Sequence, residues 1–215
     1  MDIHGLMIRR QNRLMLSVIR DKAQDVFCKK GYPSVKEELW KYTNIKNFQS
    51  YNIKSIKRVN YDLSRLDLSE DVFNIIICNG ELIKYDKSIE GLKVQNYNDI
   101  INSEEFNSFL KLSYFENNSV VAHNTSEFKD ALHIIIKENF KLSKPINIIN
   151  ITKDLKSNQL VFPRVYIHAQ NNSVGQIYIQ NIEDHSKCAI NSVFEFFCEE
   201  SSNLEIIQSS SLREQ

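Results

Sequence analysis

The sequence predicts an α+β chain, with a helical amino-terminal region followed by a β-rich carboxyl-terminal half, and three observations carry that reading. Between about Arg10 and Lys30 the apolar residues Met15, Ile19, Ala23 and Phe27 recur at every fourth position, with Val18 and Val26 filling the same stripe. This is the period of an amphipathic helix. Further on, Asn79-Gly80 separates Phe73-Asn74-Ile75-Ile76-Ile77-Cys78 from Glu81-Leu82-Ile83-Lys84-Tyr85, and this dipeptide supplies the two positive φ angles of a type I′ hairpin turn. After His133, short β-rich runs alternate with polar turns, and the turn composition recurs as Asn171-Asn172-Ser173 before Val174 and Ser201-Ser202-Asn203 before Leu204. A spacing of about 30 residues lies in the range of solenoids, while a β-sandwich or a meander also gives short strands of this kind.

Taken in order, the first helix is stopped at Gly31, which can adopt the left-handed conformation, and by Pro33, which cannot continue it. Ser34 and Glu37 then have capping-box spacing, so a second short helix is expected from Ser34 through Tyr42, with Trp40 and Tyr42 packing as local anchors. The stretch from Asn44 to Leu68 shows no clear pattern. Beyond the hairpin, helices are expected at about Ser103 to Phe115, carrying Phe106, Phe109, Leu110 and Leu112, and at Thr125 to Leu132. Strands follow at Leu132 to Ile136, Ile146 to Ile151, Val165 to Ile167, Val174 to Ile179, Ala189 to Phe197 and Leu204 to Ile207. Three regions result: helical 1–70, a hairpin with helices over 71–131, and a β-rich 132–215.

Composition excludes several classes of function. With 215 residues and 42% apolar content the chain can bury a sizeable core. Lys plus Arg equals Asp plus Glu at 27 each, so no positive field recruits nucleic acid or an acidic membrane surface. No apolar run approaches the roughly 20 residues that span a bilayer, and the first residues lack a secretory core, so a cytoplasmic location is expected. Arg9, Arg10, Arg13 and Arg20 are interspersed with Asp2, Asp21 and Asp25, unlike an organelle presequence, and are read as a solvated helix face.

No catalytic constellation emerges, and no catalytic, cofactor-binding or metal residue is assigned. There is no nucleophile elbow, no phosphate-binding loop and no dinucleotide fingerprint among five glycines. Cys28, Cys78, Cys188 and Cys198 form no C-x-x-C pair and are expected to be free buried thiols, with Cys188 and Cys198 lining a core. A metal shared by those two would require the chain to turn back near Asn191 or Ser192. His123 is placed in a loop before a helix cap, His133 and His168 in strands, and His185 in a polar segment; none has a second ligand at metal spacing apart from Asp184 beside His185. Glu195, Glu199, Glu200 and Glu205 read as a solvated acidic turn, since arginine is nearly absent after Arg164.

The string Gly31-Tyr32-Pro33-Ser34-Val35-Lys36-Glu37-Glu38-Leu39-Trp40-Lys41-Tyr42-Thr43 resembles the amino-terminal signature of the SufB/SufD family, and within it the SufD scaffold subunits of the SUF iron-sulfur cluster assembly complex. Phe73 to Gly80 is similar to the family's hairpin, Lys144-Pro145-Ile146 to its entry into the solenoid, and Pro163 to Ile167 with Ser173-Val174 to the next rung. The resemblance implies a right-handed parallel β-helix beginning in region 132–215. It also implies a non-enzymatic scaffold that works with a SufB-like partner and the ATPase SufC, with any cluster belonging to the complex and no cofactor to this chain alone. Family members are longer, so the sequence is expected to stop inside the solenoid, before the SufB-pairing and SufC-docking surfaces, and to self-associate through an uncapped end. The other reading is a stand-alone or decayed β-solenoid interaction module.

Overall fold

The computed structural model describes residues 3–51, 61–87, 89–104, 106, 115–153, 155, 158–183 and 188–212. Helix α1 (Ile3–Lys30) starts before the periodic stripe predicted it and buries Leu16 and Ala23 completely. It ends as expected at Gly31, where φ is +63° and the amide donates to the Phe27 carbonyl at 2.7 Å. The second helix does not form. Ser34 to Lys36 make a turn and only Glu38–Trp40 close a single 3₁₀ turn. The capping pair is half present: the Glu37 carboxylate accepts the Ser34 amide at 2.9 Å, but Ser34 Oγ accepts from Lys36. No residue of Glu38–Trp40 is buried, and a helix this short needs tertiary packing to persist.

The hairpin is as predicted. Strands β1 (Phe73–Cys78) and β2 (Glu81–Tyr85) pair antiparallel with Cys78 opposite Glu81, and Asn79 (φ 51°) and Gly80 (φ 85°) make the turn. Strand β3 (Leu92–Asn96) leads into the short helix α2 (Tyr97–Ile101), closed by an Asn96/Asp99 capping box that the sequence reading did not use. The helix expected from Ser103 to Phe115 lies mostly outside the described residues. The next one runs over Ser119–Glu127 (α3) and not Thr125 to Leu132, because Asn118 is its cap, accepting the amides of Val120 and Val121.

Every predicted β run is a strand: β4 (Leu132–Ile136), β5 (Ile146–Thr152), β7 (Arg164–Ala169), β8 (Val174–Glu183) and β11 (Asn203–Leu212). The run from Ala189 to Phe197 divides at Asn191-Ser192 into β9 (Ala189–Ile190) and β10 (Val193–Cys198), and β9 pairs with a short β6 (Leu160–Val161). One sheet has the order β11-β8-β5-β1-β2, a second β10-β7-β4-β3, and the third is the pair β6-β9. The ladders joining β5 to β8, β8 to β11, β4 to β7, β7 to β10 and β6 to β9 are all parallel. Amide side chains line up across them: Asn147 donates to Asn74 at 3.1 Å, Gln180 to Asn147 at 3.0 Å, and Asn150 to Asn181 at 3.0 Å. The recurrent turns stack in the same way. Asn139, Asn172 and Ser201 all have positive φ, the Asn139 amide donates to Asn171 O, and the Asn172 amide donates to Glu200 O.

Alternation along the strands divides the interior. Ile75, Ile77, Ile148 and Ile177 of the first sheet meet Ile134, Ile136, Val165 and Ile167 of the second in a central core. The opposite face of the first sheet, with Ile76, Ile149 and Ile151, is covered by Tyr61 and Leu66. The opposite face of the second, with Tyr166, lies under Leu16, Ile100, Ile101 and Phe128 from the helical region. Strands covered on both faces read as continuous apolar runs, which is why Phe73 to Cys78 and Ile146 to Ile151 stand out in the sequence. Asp130 bolts the helical cover to the sheets by accepting amides from Leu82, Tyr97 and Ala131.

Two glycines separate backbone strain from packing. Gly31 and Gly91 both have positive φ, but a Cβ at Gly31 meets open space, whereas one at Gly91 would lie 2.5 Å from the Phe140 ring. Gly31→Ala is expected to cost about 1–2 kcal/mol of stability, from backbone conformation alone. Gly91→Ala should cost roughly 1–3 kcal/mol more, from overpacking. Urea unfolding of the two variants checks this, and equal losses would contradict it.

Candidate functional site

The signature segment is anchored by a residue other than the tryptophan. Tyr32, next to the helix stop, turns inward and is 7% exposed, and its hydroxyl lies 2.5 Å from His123 Nδ1. His123 sits inside α3 and not in a loop, stacked on Phe27 (centroids 3.8 Å, planes 6° apart) with the Phe162 ring edge-on at 4.8 Å. Burial pulls its pKa down to about 4 and pushes the Tyr32 phenol well above its usual range. The imidazole is therefore neutral, with Nδ1 hydrogen-bonded to the Tyr32 hydroxyl. Leu39 and Tyr42 are 94% and 91% exposed. Trp40 is only half-buried, on the wall of an open groove of about 560 Å³ with Lys30, Pro33, Glu38 and Asn118, so the expected anchors Trp40 and Tyr42 are not core residues.

The second cluster centres on Arg164, 1% exposed on the helix-covered face of β7. Its guanidinium donates to Glu195 Oε2 at 2.8 Å on β10, and to Asn124 Oδ1 and Thr125 Oγ1, each at 3.1 Å, on α3. Asn124 donates in turn to the carbonyls of Pro163 (3.0 Å) and Asn191 (2.6 Å), and Asn191 donates back to Val120 O at 2.9 Å. Burial pulls the Arg164 pKa down, while the Glu195 carboxylate opposes that pull. Glu195 is thus not part of a solvated acidic turn. Glu199 is not either, since its carboxylate meets His168 Nε2 at 2.6 Å and accepts the Asn171 amide at 3.0 Å. Glu200 and Glu205 are exposed, as the sequence suggested. Tyr166, between the two pairs, is pushed up to about 12 by burial and by the charges of Glu195 and Glu199. The Arg164–Glu195 pair holds α3 against two neighbouring parallel strands, and that is a positioning role.

A family described as SufBD protein N-terminal region matches residues 3–148. The chain belongs to the SufBD family. The match takes in α1, the signature segment, the hairpin and α3, and so contains both Tyr32 and His123, while Arg164 and Glu195 lie beyond it. No curated protein matches the chain.

The sequence predicts thiols that are free and buried. Cys78 is buried as expected, but Cys28 and Cys198 are exposed and Cys188 is half-buried. Cys198 is the last residue of β10, where the strand leaves the helix-covered sheet, so it does not line a core. Burial and the charge of Glu183 push the Cys188 thiol up, away from the thiolate that ligates metal. The chain does turn at Asn191-Ser192, yet Cys188 and Cys198 lie on either side of that corner, one just before β9 and the other at the end of β10, strands of different sheets. Among the described residues no three His, Cys, Asp or Glu side chains converge as metal ligands. His185 and Asp184 lie outside the described residues.

The pairs that the sequence reading missed had a signal. Arg164 and Glu195 are separated by 31 residues, as are His168 and Glu199, close to the recurrence of the turns. Tyr32 and His123 are 91 residues apart and share no such period.

Two outcomes follow for the Tyr32 and His123 clamp. Tyr32→Phe removes the hydroxyl that hydrogen-bonds a buried imidazole nitrogen and should cost about 1–3 kcal/mol, whereas Trp40→Ala, at a half-exposed site, should cost about 1 kcal/mol or less. Thermal unfolding compares them, and the reverse order would return the anchor role to Trp40. Because the folded pKa of His123 lies below its unfolded value of 6.5, its contribution is complete above pH 6.5 and is lost as pH falls toward about 4. After solvent screening the loss should be about 2 kcal/mol, seen as a steeper fall in stability over that window than in His123→Gln. Identical profiles for the two proteins would contradict it.

Proposed function

We propose that this SufBD protein is a non-catalytic, SufD-like scaffold component of iron-sulfur cluster assembly, acting in the cytoplasm with a SufB-like partner and a SufC-like ATPase. The observation that carries the reading is the family match over residues 3–148 joined to a set of strands that stack in parallel, in register, at one near-constant offset. Ile146 opposes Ile177, Val174 opposes Asn203, Leu132 opposes Val165 and Arg164 opposes Val193. Four parallel ladders repeating at this interval are the arrangement from which a right-handed parallel β-helix is built, and the proposed scaffold is the opening of one. Its helical cover is pinned by Tyr32, Asp130 and Arg164.

A scaffold of this kind presents edges and does no bond chemistry. The charges of Arg164 and Glu195 are spent on each other, and nucleotide hydrolysis is assigned to the SufC-like partner. The cluster is cargo assembled on the complex. Because no described set of thiolates and imidazoles converges, this chain alone is not proposed to hold it.

Co-expression with the SufB-like and SufC-like proteins of the same genome tests the reading. The expected result is a complex that elutes together and acquires iron and sulfide on anaerobic reconstitution, while the chain alone retains none in stoichiometric amount. Stoichiometric cluster on the isolated chain, lost on replacing Cys188 and Cys198, would overturn it.

A further inference from the structure

The exposed face of α1 has a pattern that packing within the chain does not use. Leu14 and Val18 are 66% and 46% exposed, and Met7 one turn-pair earlier is 66% exposed. Arg10, Leu14, Ser17 and Asp21 form one row at i, i+4, i+7 and i+11, all exposed, so a basic and an acidic residue end the row with an apolar residue between them. Arg10 and Asp21 are about three helical turns apart with their midpoint between Met15 and Leu16, and the midpoint of Leu14 and Val18 falls at Leu16, about half a residue away. Among the described residues neither Arg10 nor Asp21 takes part in an ion pair.

A patch whose charges are opposite about its centre, and whose apolar residues flank that centre, is complementary to itself when reversed. We infer that α1 pairs antiparallel with α1 of a second copy of this chain, about a two-fold axis that runs between the two helices at the level of Met15-Leu16. A two-fold axis perpendicular to the helix sets each flank against the same flank of the copy running the other way. Leu14 then packs on Val18 of the second copy, and Arg10 meets Asp21 of the second copy, each contact occurring twice. The parallel arrangement would align Arg10 with Arg10 and Asp21 with Asp21, so the charges also choose the direction. The contact spans about 16 Å of helix and involves few large side chains, so it belongs with interfaces below about 1,200 Å² and gives a weak, concentration-dependent dimer.

Sedimentation equilibrium of the whole chain over a concentration series tests this, with circular dichroism to check that the exposed substitutions leave the fold intact. The wild-type protein should move from monomer toward dimer over roughly 10–500 µM. Arg10→Asp and Asp21→Arg, each alone, should weaken the dimer by about tenfold, because like charges then meet twice. The double variant Arg10→Asp with Asp21→Arg restores the pairing and should return to within about threefold of wild type, while Leu14→Asp abolishes the dimer. A wild-type chain that stays monomeric throughout overturns the inference. So does self-association that all these variants leave unchanged, which would assign it to the free edges of β10 and β11, and so does a double variant no tighter than the single ones.

Discussion

Parallel, in-register pairing at a near-constant offset is the constraint on which the rest of this structure depends. Once β8 lies on β5 and β11 on β8, like residues fall over like residues, and each strand must suit both its neighbours and the faces it covers. Isoleucine satisfies this in the central core, where Ile148, Ile177 and Ile179 stack beneath Ile75 and Ile77. Asparagine and glutamine satisfy it where polar side chains fall inside the sheet, by bonding to the equivalent amide on the next strand. The turns obey the same rule, since Asn139, Asn172 and Ser201 each take the left-handed conformation that a corner needs and each corner bonds to the next.

The helical cover is a consequence of that stacking. Parallel sheets are stable only when both faces are closed, so the face of β4, β7 and β10 turned away from the central core needs a lid. Helices α1, α2 and α3 provide it, through Leu16, Ile100, Ile101 and Phe128. What fixes the lid is largely polar. Arg164 reaches from the sheet into α3 while pairing with Glu195 on the neighbouring strand, so a displacement of α3 would leave a buried cation short of partners. Tyr32 does the equivalent elsewhere, tying the second residue beyond α1 to the imidazole of α3. The signature segment of the family thus contributes to the fold through its second residue, while its Leu39 and Trp40 line an open groove and its Tyr42 is exposed.

The scaffold role we propose for this SufBD family member is one carried out by surfaces. The buried charges are matched, the buried imidazole is neutral, and the thiols are dispersed among α1, β1 and the two sides of the Asn191-Ser192 corner. The surface features are the exposed row along α1, the groove beside Trp40 and the free edges of β10 and β11.

Much of the fold was legible in the sequence wherever the deciding interactions are local. The stop at Gly31 and the turn at Asn79-Gly80 depend on the φ angles of single residues, and the strands of the β-rich half announce themselves because each is buried on both faces. The turn recurrence even carried the offset that pairs Arg164 with Glu195, although without the ladder nothing said which residues the offset joined. Local signals failed where burial decides. Ser34 and Glu37 have the spacing of a helix cap, but no residue of Glu38–Trp40 is buried, so the segment closes one 3₁₀ turn. Thr125 looked like a cap and is instead inside α3, back-bonded to Val121 O, because Asn118 takes the role. By itself the sequence determined the class, the family resemblance and the order of the strands, since periodicity and backbone preference act over a few residues. Only the tertiary structure decided that Tyr32 and not Trp40 is the anchor and that Glu195 is buried, because each depends on a partner that the chain brings back from 31 or 91 residues away.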